Sequence, residues 1–216
     1  MNPTDLDKKK YCTLYLVRHG QTVWNLEKRF QGHKDSPLTK EGEDQARTLG
    51  KKLNHIDFAA VFSSDLMRAK RTAEMIILEK KLAVQTSQAL RERSFGRYDG
   101  KSGLEIGKIV HEELEMLNRL SEEQARELSS RSGIETNDRL MGRFINFLRE
   151  ISVGFTNKNV LIVTHGGVLR TFLIHIGFGD NKALPFNSIE NTAVVKLLSD
   201  GVDFIVERTE GVNKVG

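Results

Sequence analysis

Short β-branched apolar runs alternate along this chain with segments of helical period, and that alternation restricts the fold more than any other feature. Residues 13–17, 60–62 and 160–163 read as buried strands. Residues 193–198 and 204–206 flank Ser199-Asp200-Gly201 and read as a terminal hairpin. The pattern over 82–86 does not decide between strand and loop. Thr39 is placed to cap a helix reaching Leu53, with Ala46, Leu49 and Leu53 on one face. Ser64 is placed to cap the next, with Ala69, Ala73, Ile76 and Ile77 turned inward. Residues 136–151 carry Leu140, Phe144, Phe147, Leu148 and Ile151 at amphipathic spacing. Residues 168–176 are apolar nearly all round, which predicts a buried helix.

Strands and helices in alternation predict a single-domain, three-layer α/β/α fold with a mainly parallel central sheet. At 216 residues the chain is long enough for one such core without covalent staples. Residues 1–10 read as a flexible tail and 11–216 as the domain. Residues 101–132, with Ile106, Ile109, Val110, Leu114 and Leu117 followed by a polar stretch, read as a small helical cap inserted over one sheet edge.

In an open parallel sheet, ligands bind beyond the carboxyl ends of the strands. Three predicted strands deliver polar groups there. The first ends in Arg18-His19-Gly20, the second in Ser63-Ser64 with Arg68 shortly after, and the third in His165-Gly166-Gly167. If those strands are neighbours, two imidazoles and two guanidiniums converge. Guanidinium forks match phosphate oxygens, a helix starting after the glycine pair offers free N–H groups to an anion, and a neutral histidine is a nucleophile toward phosphorus. Glu92, in turn-forming sequence ahead of Phe95-Gly96 and Asp99-Gly100, is the candidate proton donor. Arginines flank it on both sides, so its working protonation state stays open. Each of these residues alone has a plainer reading: a satisfied strand-end histidine, a helix-surface arginine, a solvated acid. Their coincidence at strand ends sets them apart. His33, His55, His111 and His175 have no evident partners and read as structural.

Other chemistries fit less well. Gly100-Lys101-Ser102 matches the end of a phosphate-binding loop, but the required first glycine falls at Phe95. No histidine pair has metal-ligand spacing and Cys12 stands alone, so neither a metal nor a cofactor is expected. A single cysteine also excludes an internal disulfide and predicts a reducing, cytoplasmic setting. The polar N-terminus lacks a signal-type apolar region, and no apolar run approaches membrane-span length. The net charge of +4 is spread among acids, which argues against nucleic acid and suits a small anionic substrate.

The assembled motifs resemble the histidine phosphatase superfamily, the phosphoglycerate mutase-like proteins. The resemblance runs through Leu16-Val17-Arg18-His19-Gly20-Gln21-Thr22, Trp24-Asn25, Phe30-Gln31-Gly32 and Asp35-Ser36-Pro37-Leu38-Thr39 with Gly42. It continues at Ser63-Ser64-Asp65-Leu66, Arg68-Ala69 and Thr72, then Leu90 and Glu92 with Gly96 and Gly100, and ends at Val163-Thr164-His165-Gly166-Gly167. It implies that His19 is the phosphorylated nucleophile and Glu92 the proton donor. Arg18, Arg68 and His165 would form the phosphate pocket, joined by Asn25 and Gly166, with Gln31 and Gly32 meeting the substrate. Arg143, near Glu135, fits a family helix position without an assigned role. The family uses no metal. It contains both hydrolases and mutases. Arg119, Arg126 and Arg131 are dispersed in the cap with no adjacent arginine pair, and residues 24–39 resemble the broad-specificity phosphatases. A hydrolase of a small phosphorylated metabolite is therefore expected, with a mutase using the same intermediate and a non-catalytic phosphate-binding module as the alternatives. Substrate identity and oligomeric state are not legible.

Overall fold

A computed structural model describes residues 10–117 and 119–215; the tail expected over 1–10 lies, but for its last residue, outside them. In chain order the elements are β1 (Cys12–Arg18), α1 (Val23–Leu26), α2 (Lys40–Lys52), β2 (Phe58–Ser64), α3 (Met67–Ile76), β3 (Val84–Ser87), α4 (Gly103–Leu117), α5 (Glu122–Ser132), α6 (Asn137–Gly154), β4 (Asn159–Thr164), α7 (Gly166–His175), β5 (Ile189–Ser199) and β6 (Phe204–Val212). The six strands form one sheet in the order β3-β2-β4-β1-β5-β6. The first four run parallel, and β5 and β6 close one side antiparallel. The undecided segment at 82–86 supplies the edge strand β3.

The central strands are apolar on both faces because helices cover both. In β1, Leu14 and Leu16 point into one core with Val160, Ile162, Leu140, Phe144, Leu148 and Phe172, beneath α6 and α7. Tyr15 and Val17 point into the other with Val61, Val163, Ala46, Leu49, Ala69 and Ala73, beneath α2 and α3. The period of two along one strand thus feeds two separate cores.

Two helix readings need correction, and the cap reading gains a second helix. Ser64 does not cap α3. It ends β2, and the N-cap position is Leu66, which makes no side-chain cap bond. The first-turn N–H groups are met instead by a carboxylate distant in sequence: Asp35 accepts from Met67 N at 2.5 Å and from Arg68 N at 3.3 Å. The polar stretch after residue 120 is a regular helix, α5, opened by a Ser121–Gln124 capping box and closed by Gly133 in the left-handed conformation. The apolar helix α7 is not buried all round. Val168, Leu169, Phe172 and Leu173 are buried, while Arg170, Thr171 and Ile174 are half-exposed along a cleft.

The α4–α5 segment has a small core of its own, with Val110, Leu114, Leu117, Ala125, Tyr98 and Ile134. Phe144, with no exposed surface, sits edge-on to Phe172 at 5.4 Å. Phe144→Ala should cost about 3–5 kcal/mol in urea unfolding. Thr136→Ala, which removes the α6 cap, should cost about 1 kcal/mol.

Candidate active site

The strand order β2-β4-β1 puts the ends of three strands side by side, as the sequence reading required. His19 N donates to Thr164 O at 3.0 Å, so the first residue beyond β1 is tied to the last residue of β4. The rings of His19 and His165 then lie 5.2 Å apart between centroids. His19, Arg68 and His165 are almost wholly buried.

Hydrogen bonds decide the tautomers. His19 Nδ1 lies 2.7 Å from Gly20 O, and a carbonyl only accepts, so Nδ1 bears the hydrogen and Nε2 keeps its lone pair. Arg68 Nε donates to His165 Nδ1 at 3.2 Å, so in His165 the hydrogen sits on Nε2. That Nε2 has no partner among the described residues, and neither has Arg18 Nε. One nucleophilic nitrogen therefore stands beside two unspent donors, an arrangement suited to a phosphoryl group. Burial pushes both imidazoles well below their ordinary value of 6.5; the nearby Arg68 adds to this in each, as does Arg18 for His19 and His19 for His165. Burial also lowers Arg18 to about 10, which leaves it charged at neutral pH.

Arg68 is not the open fork that the sequence suggested. Besides His165, it donates to Lys34 O at 2.7 Å, Asp35 Oδ1 at 3.0 Å and Gly32 O at 2.8 Å. Most of its donors hold the 32–35 loop against the end of β4. Arg18 is less committed, with one bond from Nη1 to Ile189 O at 2.5 Å.

Glu92 also departs from expectation. Its carboxyl caps α7, accepting from Gly167 N at 2.8 Å and Val168 N at 2.9 Å, and from Arg93 N at 2.8 Å. The helix N–H groups that the sequence reading assigned to an incoming anion are therefore largely taken by Glu92. The two glycines make this possible. A Cβ on Gly166 would lie 3.0 Å from Arg18 Nε, and one on Gly167 would lie 2.7 Å from Glu92 Oε1.

Asn25 and Gln31 belong to one network. Asn25 Oδ1 accepts from Thr22 N at 3.0 Å and Thr22 Oγ1 at 3.1 Å, which leaves Thr22 Oγ1 to accept from Gln31 Nε2 at 2.8 Å. Gly32 adopts φ +50, and a Cβ there would meet the Asp99 carboxyl. His19, Arg18, Arg68, Glu92, Asn25, Gln31, Gly32 and Gly166 all line one cleft of about 490 Å³; His165 is not among the lining residues, and its ring packs against that of His19.

The sequence reading missed His33, His111 and Arg93 as contributors and named Arg143 without a role. His33, read as structural, donates from Nε2 to Glu92 O at 2.9 Å. His111 reaches the cleft from α4, edge-on to Phe186 at 5.1 Å. Arg93 is buried, donating to Glu135 O at 2.5 Å and to Asn137 Oδ1, and burial lowers it to about 10. Arg143, paired with Glu135, donates to the carbonyls of Ala89, Arg91 and Glu92, and so fixes the main chain that carries Glu92. Nothing local in the sequence marks these contacts; all but the Arg143–Glu135 pair, eight positions apart, span 42 residues or more. Among the described residues, no three His, Cys, Asp or Glu are grouped to hold a metal, and no helix is long and apolar enough to cross a membrane.

The sheet order and the strand-end histidines define a phosphoglycerate mutase-like α/β protein. Its fold matches a phosphoglycerate mutase structure from Bacillus anthracis with a TM-score of 0.78, 27% identity and 93% of each chain covered. Residues 14–210 match the family model of the histidine phosphatase superfamily (branch 1), and the chain belongs to that family. It is 32% identical to the uncharacterized phosphatase PhoE of Bacillus subtilis over 89% of each chain. It is 30% identical to a broad-specificity phosphatase of Saccharomyces cerevisiae, over 98% of this chain and 91% of the relative.

The buried neutral imidazoles have a consequence for stability. Below 6.5 the unfolded chain protonates both rings while the folded chain keeps them neutral. Stability is therefore fully present above that value and falls as pH drops through it toward the depressed folded values. The urea midpoint should fall between about pH 7.5 and about pH 5.5, and His165→Gln should make that fall shallower.

Proposed function

We propose that this enzyme hydrolyses phosphomonoesters of small metabolites through a phosphohistidine on His19. The observation that carries the reading is the tautomer pair: an unprotonated His19 Nε2 next to the unspent donors of His165 and Arg18. His19 Nε2 attacks phosphorus as the bond to the ester oxygen breaks, and Glu92 supplies the proton that the leaving alkoxide needs. Water then attacks the phosphohistidine. Its proton returns to Glu92, inorganic phosphate leaves, and His19 is neutral again. Arg18 and the Nε2–H of His165 stabilise the charge on the transferring oxygens. Arg68 acts on His165 and on the 32–35 loop as much as on the phosphoryl group. None of these steps calls on a metal.

Hydrolysis is favoured over mutase action by what the α4–α5 cap brings to the cleft. A mutase must hold its product while the phosphoryl group returns. Among the described residues of the cap, only His111, Leu114 and Glu115 line the cleft. Arg119, Arg126 and Arg131 are spent on exposed pairs with Glu115, Glu122 and Glu127 of the cap's own helices. The cap thus offers no cationic clamp for a second substrate anion, which leaves the intermediate open to water. The broad-specificity phosphatase among its relatives fits the same reading.

Brief incubation with a labelled phosphate ester should leave acid-labile label on His19. His19→Ala should lower kcat on the order of 10⁴-fold or more; label recovered on another residue would overturn the assignment. Glu92→Gln should slow alkyl phosphates by about 10²-fold or more and aryl phosphates far less, because only the poor leaving group needs the proton. Equal losses on both would remove Glu92 as the donor. Rapid isomerisation of 3-phosphoglycerate without phosphate release would move the enzyme to the mutases.

A further inference from the structure

Against β1, β5 is regular from Ser199 back to Val194, where it pairs with Val17; against β6 its register shifts once in that span, between Lys196 and Leu197. Beyond Val194 it bulges: the six residues Ile189 to Val194 stand against the three from Val212 to Glu210 on β6. Thr192 takes up the change with φ +57, a left-handed conformation that β-branched residues rarely adopt. Such strain persists only where the surroundings hold it.

The bulge delivers a set of contacts to the nucleophile. Thr192 N donates to His19 O at 3.3 Å. Asn191 Nδ2 donates to the same carbonyl at 3.0 Å and to Asn25 Oδ1 at 3.3 Å. Both acceptors can only accept, since Asn25 Oδ1 already receives Thr22 N, so the orientation of the Asn191 amide is settled. The neighbouring Ile189 O holds Arg18. One short irregular stretch therefore grips both residues at the end of β1 and the side chain of Asn25.

We propose that Asn191 is a positioning residue for phosphoryl transfer: it ties the main chain of His19 to the amide of Asn25 and so aims both side chains at one phosphoryl group. Because Asn25 Oδ1 is held by Thr22 and Asn191, the Asn25 NH₂ is the end left for the cleft. Regular antiparallel pairing at this point would withdraw the Asn191 side chain from His19, and the strained Thr192 is retained for that contact. The inference rests on His19 as the nucleophile.

The test uses the full-length enzyme and two variants. Asn191→Asp keeps the shape but replaces the donor with an acceptor; Asn191→Ala removes the contact without new charge. Rapid-quench formation of phosphohistidine should slow by about 10²-fold in both, the loss expected from a small misplacement of a reacting group. KM should change little, the unfolding temperature should stay near that of the parent, and aryl and alkyl phosphates should suffer equally, unlike the split expected for Glu92→Gln. Combining Asn191→Ala with Asn25→Ala should cost less than the sum of the two losses. Phosphorylation within threefold of the parent in both variants, a loss that follows melting at the assay temperature, or full additivity with Asn25→Ala would each overturn the proposal. Absence of phosphohistidine in the parent enzyme would instead overturn the nucleophile assignment on which it stands.

Discussion

The buried guanidinium of Arg68 is the contact on which the site depends. Almost no part of it reaches solvent, and a charge so placed is tolerated only when its donors are met. Its partners come from two places: His165 past β4, and the loop after α1, where Gly32 and Lys34 offer carbonyls and Asp35, which also caps α3, a carboxylate. One side chain therefore joins the sheet edge to the loop that borders the cleft. By donating to His165 Nδ1 it also settles which nitrogen of that ring can donate outward. Removing it would leave a tautomer undefined and a loop unanchored, whatever direct contact it makes with a phosphoryl group.

Around that centre the protein keeps charge and hydrogen in assigned positions by excluding water. Desolvation favours the neutral form of His19 and His165, the state that the roles proposed for them require. The glycine pair at the start of α7 lets a guanidinium and a carboxyl approach the same turn from two sides. Glu92 takes the helix N-terminus that would otherwise attract any anion, and Arg143 and His33 secure its main chain. The strain at Thr192 fits the same economy, since a residue in that conformation costs about 1–3 kcal/mol and sits where the chain must leave regular pairing to touch His19.

The readings that succeeded and failed divide by the range of the forces involved. Thr39 caps its helix as its local sequence indicates. Ser64 does not cap α3, because Asp35 arrives from elsewhere in the chain to do so. The polarity of residues 121–132 hid a helix, since a solvated helix needs only caps and i,i+4 pairs, not an apolar stripe. His33 and His111 looked idle because their partners, Glu92 and Phe186, are 59 and 75 positions away.

By itself the sequence determined the alternation of strand and helix, hence the layered sheet, and which side chains stand at the strand ends. Those properties follow from local periodicity and from the rule that parallel strands present their carboxyl ends together. Only the tertiary structure decided which nitrogen of each imidazole bears hydrogen, that Glu92 caps a helix, that Arg68 is mostly spent on the protein, and that Asn191 reaches His19. Apart from the bond of His19 Nδ1 to the adjacent Gly20 O, these are hydrogen bonds between residues far apart in the chain. The direction of each depends on a donor and an acceptor meeting at about 3 Å, and no pattern of neighbouring residues encodes such a meeting.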